Sequence, residues 1–145
     1  MNSEPRLASA GWSKIKIGDE VSFSVTITAE MVSKFVEITG DDNLLHTDEA
    51  FAAGRGFPKK VAHGMLLASF FSRLVGKYFL GDDNLYLAQK VAFHKPIFIG
   101  DTVVVKGVIK NKIESAKIAC LETTIKSPDG ADAVTGEAQV RLGAF

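Results

Sequence analysis

The sequence predicts an α+β fold in which a curved antiparallel sheet encloses one apolar helix. Three observations carry this expectation: a single early strand precedes all the helical segments, four strands rich in Val, Ile and Thr follow them, and residues 65–76 are apolar nearly all the way round a helix. Such a helix must be covered on most sides, and the four late strands supply the cover.

The elements follow in order. Residues 1–11 read as a loose tail, leaving 12–145 as one domain with no repeat, low-complexity run or linker inside it. In residues 20–27, Val21, Phe23, Val25 and Ile27 alternate with polar neighbours, the period of a half-buried strand. Thr28 then reads as an N-cap and Gly40 as a stop for a helix over 29–39, with apolar residues at 31, 32, 35, 36 and 38 on one stripe. Residues 41–46 are rich in turn formers and read as a loop, and 48–54 as one or two helical turns closed by Gly54. A second loop holds Gly56 and Pro58, and the apolar helix begins at His63-Gly64. Strands are expected over 85–94, 101–113, 117–126 and 133–142, separated by short turns that favour antiparallel pairing of neighbours.

Composition excludes several functions. Of 145 residues, 17 are basic and 17 acidic, so the chain lacks the positive excess that supplies sequence-independent affinity for nucleic acid or anionic lipid. No apolar run reaches the roughly 20 residues of a membrane span. The N-terminus, with Glu4 and Pro5, lacks the basic-then-apolar order of a secretory signal, and a single cysteine, Cys120, fits a reducing compartment, so a cytoplasmic location is expected. Cys120 itself, between Ala119 and Leu121, reads as a small buried hydrophobe rather than a nucleophile.

Two segments could carry chemistry. Asp41 and His46 lie in a loop that lets both side chains converge, although helix termination with Asx capping and a half-buried structural histidine would account for the same residues. Gly64 lies at the start of the apolar helix, where backbone N–H groups without intrahelical partners can hold an oxyanion; relief of crowding explains the glycine equally well. His46, Asp48 and His63 could ligate a metal, but no strong metal-binding spacing accompanies them, and none is expected. Lys59 and Lys60, just before the helix, could reach ligand phosphates, while His94 reads as structural or solvent-facing.

The ordered set Thr39-Gly40-Asp41-Asp42-Asn43-Leu44-Leu45-His46, Phe51-Ala52-Ala53, Val61-Ala62-His63-Gly64-Met65-Leu66, Tyr86-Leu87 and Phe93-x-x-Pro96-x-x-x-Gly100-Asp101 strongly resembles the MaoC-like (R)-specific enoyl-CoA hydratases, from about residue 15 to 142. The resemblance implies a single hot-dog domain, a long central helix wrapped by an antiparallel sheet, in a homodimer joined through sheet edges. It implies reversible hydration of a trans-2-enoyl-CoA with no cofactor, CoA being part of the substrate. Catalytic roles then fall to Asp41, His46 and the Gly64 N–H. Asn43 would help shape the site and Ser72 would support Asp41, and these two with His63, Lys59 and Lys60 would contribute to substrate binding; Leu66, Leu67, Phe70 and Val75 of the apolar helix are candidates for the acyl pocket that fit the core as well. The family usually has proline after the asparagine, and Leu44 stands there instead, which removes a fixed φ angle from the loop and should leave it slightly more mobile. A dehydratase acting on acyl-carrier-protein substrates, a hot-dog thioesterase and a non-catalytic thioester-binding module are the alternatives, separable by substrate, thiol release and turnover.

Overall fold

A computed structural model describes residues 11–79 and 83–143 of the chain. The expected tail, 1–11, lies outside the described residues apart from Gly11. After a short 3-10 turn at Trp12–Lys14 come β1 (Glu20–Thr26), α1 (Ala29–Thr39), α2 (Leu44–Thr47), α3 (Glu49–Gly54) and α4 (Gly64–Arg73). A π-helical stretch (Leu74–Phe79) continues α4, followed by β2 (Asn84–Phe93), β3 (Thr102–Ile113), β4 (Ile118–Lys126) and β5 (Asp132–Leu142).

The strands form one antiparallel sheet in the order β1-β3-β4-β5-β2. With α4 packed against it, this is the α+β hot-dog architecture. One expectation about neighbours does not hold: β2 and β3 follow each other in sequence yet lie three strands apart. The connection between them carries Pro96 and, rather than turning back, crosses to the start of α4. There Val61 and Phe98 form an isolated bridge, and the Ala62 N–H donates to the Ile97 carbonyl at 2.8 Å.

Period-two alternation builds the core. On β3, Val103, Val105 and Ile109 point inward, and on β4, Ala119, Leu121, Thr123 and Ile125 do so, all at 1% exposure or less. They meet Leu67, Phe71, Leu74 and Tyr78 of the helix. The same alternation corrects Cys120, which faces the outer side of the sheet and is partly exposed instead of buried. The central helix is likewise not wrapped on all sides: Met65 is 61% exposed and Ser69 and Ser72 are exposed with it. These positions, spaced i, i+4 and i+7, form one face that the five strands leave open. Among the described residues no helix is long and apolar enough to cross a membrane.

Candidate active site

Asp41 is placed by the end of α1. Gly40 adopts the left-handed conformation (φ 77°) and its N–H closes the helix onto the Val36 carbonyl at 2.7 Å, a stop that a side chain at this position would strain. Asp41 follows, its backbone N–H donating to Thr39 Oγ1, while its Oδ1 accepts from the Asn43 N–H.

The expected loop over 41–46 is partly a helical turn. Asn43 Oδ1 caps it by accepting from the Leu45 N–H at 2.9 Å, and the Thr47 hydroxyl donates to the carbonyls of Asp42 and Asn43. Leu44 is the first helical residue, the position at which proline is favoured but not required. Asp48, weighed as a metal ligand, instead caps α3 by accepting from the Phe51 N–H at 2.7 Å.

His46 and His63 stack, with ring centroids 3.8 Å apart and planes inclined by 28°. His46 Nδ1 lies 2.6 Å from the Val61 carbonyl oxygen. That oxygen can only accept, so Nδ1 carries the hydrogen and Nε2 of the neutral ring is left with its lone pair. His63, only 2% exposed, directs Nε2 at the Asp41 carbonyl oxygen at 2.9 Å, and the same nitrogen stands 4.0 Å from Asp41 Oδ2. Its Nδ1 is buried without a partner.

An atom able to bind a ligand from each of Asp41, His46 and His63 lies within 4.8 Å of the other two. That spacing is within the span of one bridging water, which two hydrogen bonds of about 2.8 Å each would hold. The group has the chemistry to ligate a metal, but each histidine already commits one nitrogen to a backbone carbonyl. Each ring keeps one nitrogen with a lone pair; that of His63 is buried, and that of His46, in a group with the Asp41 carboxylate, suits the binding and deprotonation of water.

Gly64 opens α4, and no side chain caps that end. Among the described residues its N–H has no protein acceptor, so it presents a donor at the positive end of the helix. The Phe93 ring lies directly against it: a β-carbon added at Gly64 would stand 2.9 Å from Phe93 Cδ1 and Cε1.

Two clefts meet at Asp41 and Met65. One, of about 490 Å³, is bordered by His46, His63, Gly64 and Phe93, with His94 and Lys95 at its side. The other, of about 680 Å³ and mostly apolar, runs between the open face of α4 and the inner face of β2. Ser72 lies on this second cleft, but no hydrogen bond joins it to Asp41. Of the two readings open to the acyl-pocket candidates, the core is the one they take. Leu66 and Val75 point into the core at 7% and 0% exposure and Phe70 packs against it, so Met65, Ala68 and Ser69 line the cleft in their place. An i, i+3, i+4, i+7 reading of residues 65, 68, 69 and 72 would have found that face. Lys59 and Lys60 border neither cleft; Lys95 does, with its ammonium paired to Asp129. Tyr86 and Gln89, across from the helix, complete the apolar cleft. Burial pushes the Tyr86 phenol up to about 12.

Residues 13–131 match the MaoC-like domain. The chain is 41% identical over 128 residues to an (R)-specific enoyl-CoA hydratase of Aeromonas caviae, covering 88% of this chain and 96% of that one. It is 33% identical over 137 residues to the tomato (Solanum lycopersicum) mitochondrial 3-hydroxyacyl-[acyl-carrier-protein] dehydratase FERN, covering 93% and 82%. Among solved structures, an (R)-hydratase from A. caviae involved in PHA biosynthesis superposes with a TM-score of 0.86 at 40% identity, covering 89% of this chain and 98% of that one.

Proposed function

This chain belongs to the MaoC-like domain family, and on that premise we propose that it is an (R)-specific enoyl-CoA hydratase, adding water reversibly to a trans-2-enoyl-CoA to give an (R)-3-hydroxyacyl-CoA. The observation that carries the reading is the state of His46: the Val61 carbonyl holds the hydrogen on Nδ1, leaving Nε2 as the base of a ring that has one nitrogen within 4.8 Å of an Asp41 carboxylate oxygen.

Water held between Asp41 and His46 gives a proton to His46 Nε2 as its oxygen bonds to C3. The C2–C3 π electrons move toward the thioester, and the negative charge that develops on its oxygen meets the Gly64 N–H. The enolate then regains its carbonyl as C2 takes a proton from the Asp41/His46 pair, which ends as it began. A positioned acid or base contributes about 10²–10⁴-fold to such a step. The cleft beside Gly64, with His94 and Lys95, receives the thioester and pantetheine side, and the apolar cleft receives the acyl chain. CoA enters as part of the substrate, and no cofactor is required.

The sheet ends at β2, an edge strand whose outward Leu85 and Leu87 are 46% and 44% exposed. Pairing of this edge with a second copy would satisfy its outer backbone N–H and C=O groups and set the outward leucines of the two copies side by side, so the working form is a homodimer. The 33% identity to an acyl-carrier-protein dehydratase supports a second reading in which the same chemistry runs on a carrier-protein thioester.

Hydration of crotonyl-CoA with chiral analysis of the product tests the proposal. An (R) product is expected; an (S) product, or release of free thiol without hydration, overturns it. A large preference for the carrier-protein thioester over the CoA thioester would favour the second reading.

A further inference from the structure

Helix α4 and strand β2 run in opposite directions along the apolar cleft. They touch at one end, where Phe93 lies on Gly64, and the cleft runs from there to Ser69 and Ser72 on the helix and to Gln89 and Tyr86 on the strand. At 1.5 Å per residue, Ser72 stands about 12 Å along the axis from Gly64. Tyr86 and Gln89 therefore lie at the far end from the proposed reacting atoms.

Strict alternation would send residues 86 and 89 to opposite faces of the sheet. A register shift between Tyr86 and Ala88 in the pairing with β5 reverses the parity, and both side chains turn toward the helix. There they lock together. Gln89 Nε2 donates to the Lys90 carbonyl at 2.7 Å, which fixes the amide orientation and turns Oε1 toward Tyr86, whose hydroxyl donates to it. Nε2 also reaches Thr123 Oγ1 on β4 at 2.9 Å, and Thr123 is fully buried.

To make that last bond Gln89 must pass over β5, which lies between β2 and β4. Gly136 is the gap. It faces Thr123 on one side and Val91 on the other, and a β-carbon there would collide with the Lys90 carbonyl and stand 2.7 Å from Gln89 Nε2 and 3.0 Å from Thr123 Oγ1. A glycine, a bulge and three mutually satisfied polar side chains thus coincide at one end of an apolar cleft.

We propose that Tyr86, Gln89 and Thr123 form a hydrogen-bonded end wall that sets the acyl-chain length the enzyme accepts, restricting it to short chains. The proposal rests on the hydratase reading. A chain reaching past Ser72 has to displace Gln89 or Tyr86, and moving Gln89 leaves the buried Thr123 hydroxyl without that partner, whereas a short chain stops before the wall. A single methylene in an apolar pocket is worth about 10–200-fold in discrimination, so removing the wall has a readable effect.

The experiment measures kcat/KM on straight-chain 2-enoyl-CoAs of four to ten carbons. The wild-type protein is expected to fall off with length, and Gln89→Ala to raise the eight-carbon to four-carbon ratio fivefold or more, chiefly through KM on the longer substrate. Should Gln89→Ala not fold, Thr123→Val keeps the core volume while releasing Gln89, and a rise of twofold or more is expected. A general loosening would lower turnover on all substrates and leave the ratio in place. A smaller rise than stated, or a wild-type protein that handles eight carbons as readily as four, overturns the end wall. Absence of hydration at every chain length overturns the hydratase reading instead, and the wall with it.

Discussion

Replacing Gly64 with alanine separates the chemistry of this site from its folding. The added β-carbon would stand 2.9 Å from two carbons of the Phe93 ring and 3.1 Å from a third. The obstruction is a side chain 51% exposed, which can swing toward solvent. Overpacking typically costs about 1–3 kcal/mol, and the lower end applies where the neighbour can yield. Alanine recovers about 0.5–1 kcal/mol of backbone entropy relative to glycine in a helix. The two effects nearly cancel, so stability should change by about 1 kcal/mol or less, a shift in Tm of about 3 °C. Alanine keeps the backbone N–H, so the expected effect on catalysis is steric: the methyl group and the Phe93 ring it displaces crowd the approach of the thioester oxygen to that donor. If the crowding keeps the oxygen from the N–H altogether, the cost approaches the about 10²–10³ in rate of losing one oxyanion donor. The assay is loss of enoyl-thioester absorbance on crotonyl-CoA beside thermal unfolding of the same preparation. Phe93→Ala combined with Gly64→Ala removes the collision and should restore Tm without restoring turnover. A Gly64→Ala protein that folds and keeps kcat/KM within tenfold of wild type would falsify the claim that the thioester oxygen needs the space beside Gly64.

Other perturbations give contrasting outcomes. His46→Ala removes the lone pair at Nε2 and one hydrogen bond to Val61, so kcat should fall by about 10²–10⁴ while stability drops by about 0.5–1.5 kcal/mol, read by steady-state kinetics and denaturant unfolding. Gly136→Ala meets the Lys90 carbonyl, which is backbone and cannot swing aside, so here the cost of about 1–3 kcal/mol is uncompensated and Tm should fall by about 3–9 °C in a thermal melt. The Tyr86 phenol should titrate near 12, above the ordinary 10. Between those values the folded state holds a proton that the unfolded state has lost, so stability should decline as pH rises from about 10 to about 12. Comparing ultraviolet titrations and unfolding curves of wild type and Tyr86→Phe over that range isolates the effect, and a phenol titrating at its ordinary position would refute it.

Local pattern carried much of the architecture. The β1 alternation, the α1 caps at Thr28 and Gly40, and the four late strands lie within a residue or two of where the sequence puts them, because each depends on neighbours a few positions away. Asp41, His46 and Gly64 were legible as candidates for the same reason: turn formers, an imidazole and a glycine at a helix start advertise themselves. Several features were not legible. The side of β4 that Cys120 faces depends on the parity of its inward neighbours, and the place of β2 beside β5 depends on a connection that crosses to α4. Which face of α4 is core, Leu66 and Val75, and which is cleft, Met65 and Ser69, is decided by how far five strands can wrap.

The sequence by itself determined the elements, their antiparallel character and the residue types available for proton transfer, since periodicity, capping and side-chain chemistry are local properties. Only the tertiary structure decided the tautomer of His46, through a carbonyl 15 residues away at Val61, and the bond from Gln89 to Thr123, 34 residues apart across a glycine gap. A hydrogen bond between distant residues needs both partners within about 3 Å, and that proximity belongs to the packed fold, where no pattern of neighbours along the chain encodes it.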